Sequence, residues 1–125
     1  MGNGMEIVPL SEAIGAEIRG LDLRQPQDAA MVAAINDAWH EHIVLLFRGQ
    51  ALGLEEHTQF AGYFGEIGKH MRPKAIRNEA AELGPNVMLV SNIRENGKPI
   101  GSLPDGEMMF HSDTPYREQP DKATM

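Results

Sequence analysis

The feature that most constrains the fold is an abrupt change of hydrophobic period near residue 43. Across residues 28–42, apolar or aromatic side chains recur at spacings of three and four, at Met31, Ile35, Ala38, Trp39 and His42. This spacing places them on one face of a helix. Residues 43–47 follow at once and are all apolar, which is typical of a buried strand. We therefore predict a chain that mixes helices and strands, with Pro26 at the start of the helix.

The rest of the chain contains shorter signals of the same kinds. Alternating or continuous apolar stretches predict strands, the three-to-four spacing predicts a helix, and clusters of glycine, proline and asparagine predict turns. These elements are strands over residues 7–10, 16–21, 87–90 and 107–111, a helix over residues 54–64 capped by Gly65, and turns at 96–97 and 112–115. No shift in composition marks a boundary, so residues 1–125 are predicted to belong to one domain.

Composition excludes several classes of function. The net charge of −7 argues against nucleic acid or an anionic membrane as a partner, because both require clustered lysine and arginine. The chain has no cysteine, which excludes disulfides, thiolate metal sites and cysteine nucleophiles. The apolar run at residues 43–47 is far too short to cross a membrane, and the first residues lack a signal-peptide pattern. We expect a cytoplasmic protein.

The sharpest chemical feature is the tripeptide His111-Ser112-Asp113. In an extended backbone, residues i and i+2 point to the same side with their Cα atoms about 7 Å apart. An imidazole and a carboxylate placed in this way can bind adjacent positions of one cation, as two of the three ligands in non-haem iron(II) oxygenases. Zinc accepts the same ligand types but has no redox chemistry. The structural alternative is that His111 caps a turn and Asp113 forms an Asx-turn before Pro115.

The other histidines are weaker candidates for a metal site. His40 and His42 would lie about 200° apart on the first helix, so they cannot chelate one ion. His57 lies on the apolar face of the second helix, where packing is the simpler interpretation. His70 follows in a basic stretch that also contains Lys69, Arg72 and Lys74. It is either a solvated loop residue or a contact for an anionic substrate.

Four blocks of sequence are more specific together than any one of them alone. They are IVPL and IGAEIRGLDL within residues 7–23, HIVLLFRGQ at 42–50, FAGYFGE at 60–66, and FHSDTPY at 110–116 followed by Pro120. In their order and spacing the chain resembles the TauD/TfdA family, which includes taurine dioxygenase and 2,4-dichlorophenoxyacetate dioxygenase. The resemblance covers nearly the whole chain.

The resemblance implies an α+β fold built on a double-stranded β-helix, or jelly roll, with flanking helices. It implies iron(II) as the metal, 2-oxoglutarate as cosubstrate and O2 as oxidant, with hydroxylation of a small, anionic organic molecule. By position, His111 and Asp113 match the first two iron ligands, and His70 falls where taurine dioxygenase contacts the substrate sulfonate. Glu107 lies near a substrate-contacting asparagine of that enzyme. Because a carboxylate would repel a sulfonate, taurine itself is not the expected substrate.

The sequence also departs from the family pattern. Phe110 stands where the family often has tryptophan, which changes packing only. The second iron-binding histidine and the arginine that binds 2-oxoglutarate are expected downstream of Met125, so the jelly roll is expected to be incomplete. Two alternatives to an active dioxygenase follow. One is an inactive fragment that associates with a homologue, or with itself as a homo-oligomer, through open strand edges. The other is a non-redox module that binds a divalent metal.

Overall fold

The computed structural model describes residues 4–68, 87–101 and 109–125. The chain forms two compact units, Met1–Phe64 and Gly65–Met125. The elements of the first unit are β1 (Glu6–Pro9), β2 (Ala16–Arg19), α1 (Ala29–His42), β3 (Leu45–Leu46) and α2 (Leu54–Ala61), which continues as a 3-10 turn at Gly62–Phe64. The second unit contains β4 (Arg94–Glu95) and β5 (Lys98–Pro99). The predicted mixture of helices and strands is confirmed.

The three strands of the first unit form one sheet in the order β1-β2-β3. β1 and β2 are antiparallel, with Ile7 opposite Ile18. β3 runs parallel to β2, with Ala16 opposite Leu45. Parallel neighbours require a crossover connection, and α1 provides it here. The predicted strands at 7–10 and 16–21 are therefore confirmed, the first shifted by one residue and the second two residues shorter than expected.

Helix α1 begins at an aspartate cap rather than at a proline. The Asp28 side chain accepts a hydrogen bond from the Met31 backbone N–H at 2.8 Å, which satisfies one of the free amides of the first turn. Pro26 lies ahead of this cap, so its predicted place at the start of the helix is wrong. The physical reason is that a side-chain acceptor satisfies an orphan amide, whereas proline only removes one.

Helix α1 ends in a sharp reversal at Ile43. The Ile43 N–H donates to the Trp39 carbonyl at 2.7 Å, and the Val44 N–H donates to the His42 carbonyl at 2.7 Å. With φ 68° and ψ −41°, Ile43 is the central residue of a γ-turn of the rare, strained type. A positive φ is uncommon for a β-branched side chain. The backbone therefore turns from helix to strand within two residues, Ile43 and Val44.

The core of the first unit lies between the two helices and the segments that flank them. Its buried residues are Leu23, Met31, Ile35 and Phe60. The Phe60 ring makes edge-to-face contacts with three aromatic rings, those of Phe47, Tyr63 and Phe64, at centroid distances of 5.2, 5.8 and 5.5 Å. The predicted apolar faces of both helices are thus the faces that pack together.

Two predicted strands differ from what the structure contains. In the run 43–47 only Leu45–Leu46 is a strand, while Ile43 and Val44 are 59% and 52% exposed. The γ-turn takes Ile43 out of the ladder, Val44 takes part only through its carbonyl, which accepts from the Ala16 N–H at 2.9 Å, and β3 lies at an edge of the sheet. Residues 87–90, predicted as a buried strand, have no strand structure and alternate between half-buried and exposed. Both runs were predicted to be buried because they are hydrophobic. Among the described residues, no neighbouring strand covers them.

The described part of the second unit contains a small hairpin. Asn96 and Gly97 connect β4 to β5 with φ values of 50° and 78°, the pattern of a type I′ turn, which confirms the turn predicted there. Residues 109–111 are not a strand, contrary to prediction, and residues 107 and 108 lie outside the described residues. The jelly roll and the single domain remain predictions. Among the described helices, none is long and apolar enough to cross a membrane.

Candidate metal site

His111 and Asp113 lie side by side on an irregular segment of the second unit. The His111 Nε2 atom is 3.2 Å from the Asp113 Oδ1 atom, and the two side chains are 64% and 49% exposed. The segment bends at Asp113 instead of continuing as a strand. The structure nevertheless brings together the two groups that the tripeptide spacing predicted to share one side.

Each of the two groups is held by a second hydrogen bond on its outer atom. The His111 Nδ1–H donates to the Met109 carbonyl at 2.8 Å, because a carbonyl can only accept. The Asp113 Oδ2 atom accepts a hydrogen bond from the Thr124 hydroxyl at 2.7 Å. The inner atoms, Nε2 and Oδ1, are therefore the pair that face each other. Histidine ligands in metal sites commonly have this arrangement, with the other ring nitrogen bonded to a carbonyl.

The surroundings of His111 favour a positive charge at its ring. The Met109 carbonyl, and after it the charge of Asp113, raise the pKa of His111 above its ordinary value. Both interactions stabilise positive charge at the imidazole, and the same carboxylate would stabilise a metal ion. A proton and a metal compete for Nε2, since only the neutral ring can bind a metal.

The distance between Nε2 and Oδ1 is compatible with two adjacent positions of an octahedral ion. Ligand atoms at about 2.1 Å from a metal and at right angles to each other lie about 3 Å apart. The 3.2 Å separation between Nε2 and Oδ1 is close to that value. An imidazole and a carboxylate are also two of the three ligand types that non-haem iron(II) uses. Within residues 4–68, 87–101 and 109–125, no group of three His, Cys, Asp or Glu side chains converges.

The remaining predicted site residues fall elsewhere. His70 and Glu107 lie outside the described residues, so their roles as substrate contacts remain predictions. His40 is exposed, and His42 and His57 are half-buried on the helices of the first unit.

Sequence reasoning missed Thr124. Its hydroxyl reaches Asp113 across eleven residues of chain. A lone threonine carries no signal of such a contact. The Asx-turn that was the structural alternative for Asp113 is not what the carboxylate forms, because its two oxygen atoms face His111 and Thr124.

Comparison with known proteins identifies the family of the chain. The family described as "Taurine catabolism dioxygenase TauD, TfdA family" matches residues 6–125. The chain belongs to the TauD/TfdA family. The match includes all four sequence blocks, among them the His111-Ser112-Asp113 segment, and the resemblance inferred from these blocks is confirmed.

Two of the relatives are named as alpha-ketoglutarate-dependent dioxygenases. The chain is 27% identical over 126 residues to the (S)-phenoxypropionate/alpha-ketoglutarate-dioxygenase of Delftia acidovorans, covering 93% of this chain and 39% of that one. It is 32% identical over 123 residues to the alpha-ketoglutarate-dependent sulfate ester dioxygenase of Pseudomonas putida, covering 97% and 36%. The chain thus spans less than two fifths of either relative.

The chain is also similar in structure to a solved protein. The crystal structure of AAD-2 in complex with Mn(II) and N-oxalylglycine superimposes with a TM-score of 0.50 at 28% identity, over 50% of this chain and 25% of that one.

Proposed function

We propose that this chain forms part of the active site of an iron(II)- and 2-oxoglutarate-dependent dioxygenase that hydroxylates a small, anionic organic substrate. One observation carries the proposal: in a member of the TauD/TfdA family, the Nε2 atom of His111 and the Oδ1 atom of Asp113 face each other at 3.2 Å. The double-stranded β-helix with flanking helices is the fold that we propose for the catalytic domain, and family membership supports it.

The two residues would hold iron(II) in defined ways. His111 would bind through Nε2, because its Nδ1–H is committed to the Met109 carbonyl. Asp113 would bind through Oδ1, the oxygen that faces Nε2. When bound, iron(II) and 2-oxoglutarate would supply the oxidising chemistry with O2, while the chain supplies position. We propose that a further histidine and an arginine for 2-oxoglutarate come from beyond Met125.

The substrate class rests on charge and on the relatives. Two relatives are named for a sulfate ester and for phenoxypropionate, which are both anions. His70, in its basic stretch, is the proposed contact for the anionic group, and Glu107 would disfavour a sulfonate close to it.

The test is an anaerobic titration with iron(II) and then 2-oxoglutarate of the protein that includes this chain and the proposed histidine and arginine from beyond Met125. Chelation of iron by the keto acid should give a weak metal-to-ligand charge-transfer band in the visible. We expect the band in the wild type and in the control His40→Ala, whose side chain is exposed on α1. We expect its loss in His111→Ala.

The same experiment separates the two alternatives. An inactive fragment would give no band with any addition, and measurement of its mass in solution would test self-association. A non-redox module would bind a divalent metal but give no band with 2-oxoglutarate. A band of equal strength in His111→Ala would refute the assignment of that ligand.

A further inference from the structure

The Thr124 hydroxyl makes a contact that the proposed ligand set does not use. It donates to the Asp113 Oδ2 atom at 2.7 Å, the short distance that is typical of a hydroxyl bonded to a charged carboxylate. Asp113 is about half exposed, so water could satisfy Oδ2 without help from the protein. The chain instead brings a side chain from eleven residues away to this oxygen.

The carboxylate plane of an aspartate is otherwise free to turn. Rotation about the terminal bond of aspartate is broad and roughly two-fold, so either oxygen can face a neighbour at little cost. On the other side of the site, the Met109 carbonyl fixes the His111 ring. Thr124 fixes the Asp113 carboxylate in the same way, because its hydroxyl bonds Oδ2 and leaves Oδ1 to face Nε2.

We propose that Thr124 is a positioning residue for the metal site: its hydroxyl bond to Oδ2 directs Oδ1 toward the ion and keeps Asp113 a one-oxygen ligand. This inference rests on the proposed function. A single-oxygen carboxylate leaves more positions of the ion open than a carboxylate that binds through both oxygens, and 2-oxoglutarate and O2 need those positions.

The intervening loop is tied in a way that brings Thr124 back to Asp113. The Asp121 N–H donates to the Thr114 hydroxyl at 2.9 Å, and the Arg117 guanidinium donates to the Asp121 carboxylate at 3.1 Å. The Arg117 N–H also donates to the Thr114 carbonyl at 3.1 Å. Closing a loop costs entropy, and these bonds offset part of that cost before Thr124 reaches its acceptor.

The test compares Thr124→Val, which keeps the shape but lacks the hydroxyl, with Thr124→Ser, which keeps the hydroxyl. Binding of Mn(II), without cosubstrate, is measured on the protein that includes this chain and the proposed histidine from beyond Met125, from the loss of the electron paramagnetic resonance signal of the free ion. Loss of an outer-shell partner commonly weakens metal affinity by about 10- to 100-fold. We expect about 10-fold weaker binding for Thr124→Val and a change of less than about threefold for Thr124→Ser.

Two further variants distinguish the possible failures. Thr58→Val makes the same change on α2, where the hydroxyl donates to the Leu54 carbonyl, and should bind Mn(II) like the wild type. His111→Ala tests the site itself and should bind Mn(II) more weakly than any threonine variant.

If His111→Ala weakens binding but Thr124→Val does not, Thr124 has no positioning role and the proposed ligands stand. If neither variant weakens binding, or if the wild type binds no Mn(II), both proposals fail. Equal losses in Thr124→Val and Thr124→Ser would also overturn the inference, because the hydroxyl would not be the cause.

Discussion

Gln50 is expected to stabilise the first unit by bridging two backbone groups that have no strand partner. Its Oε1 atom accepts from the Leu23 N–H at 3.0 Å, and its Nε2 atom donates to the Leu21 carbonyl at 3.0 Å and to the Arg48 carbonyl at 3.3 Å. Leu23 is buried in the core. One amide side chain therefore pairs with a backbone N–H and a backbone carbonyl, as a neighbouring strand does in a sheet, and Leu23 lies 27 residues from Gln50 in sequence.

Replacing Gln50 with alanine removes both bonds to the 21–23 segment. Each hydrogen bond contributes about 1 kcal/mol net, and a buried donor left without a partner costs about 1–3 kcal/mol. We expect Gln50→Ala to lower the free energy of unfolding by about 2 kcal/mol, which corresponds to a fall in melting temperature of roughly 10 °C. Gln50→Glu should cost at least as much at pH 7, because its second oxygen would face the Leu21 carbonyl.

The assay is urea unfolding followed by tryptophan fluorescence. Trp39 is the one tryptophan of the chain and its ring contacts Phe64 at 5.5 Å, so the signal reports on the first unit. Gln59→Ala, an exposed glutamine on α2, is the control and should change stability by less than about 0.5 kcal/mol. If Gln50→Ala costs no more than this control, the bridge does not stabilise the fold.

Two other predictions concern backbone strain and pH. Ile43→Gly should raise the free energy of unfolding by about 1 kcal/mol in urea, since relief of γ-turn strain exceeds the entropic cost of glycine; a loss would show that the turn is unstrained. Arg24 lowers the pKa of Asp22 to about 2, so the linked stability is present above pH 4 and is lost as pH falls toward 2. Arg24→Ala should return the Asp22 pKa toward 3.8, as measured by NMR titration; an unchanged value would exclude Arg24 as the cause.

The elements that the sequence predicted well are those whose signals are local. The three-to-four spacing around Ile35 placed α1 to within a residue of its observed ends, and the pair Asn96-Gly97 placed the hairpin turn. Both depend on side chains within a few residues of each other, so no distant contact can change them easily. The order of four short blocks was enough to identify the family, because each block retains its own local pattern.

Burial depended on tertiary structure. The runs at 43–47 and 87–90 are apolar in sequence, but an apolar run states only that a segment can be buried. Whether a neighbour covers it depends on the sheet, and β3 lies at its edge with Val44 exposed. The start of α1, by contrast, depends on a local contact that the sequence prediction did not use. Asp28 caps the Met31 N–H three residues ahead, and Pro26 lies before this cap.

In the candidate site, too, some features follow from local sequence and others from the tertiary structure. The two-residue spacing of His111 and Asp113 determined by itself that an imidazole and a carboxylate could meet, since neighbours in the chain need no loop to close. The bonds of Thr124 to Asp113 and of Gln50 to Leu23 span 11 and 27 residues, and only the folded chain brings those groups together. Such contacts form when the packing around them offsets the entropy of closing the loop, and that balance is not encoded in any short stretch of sequence.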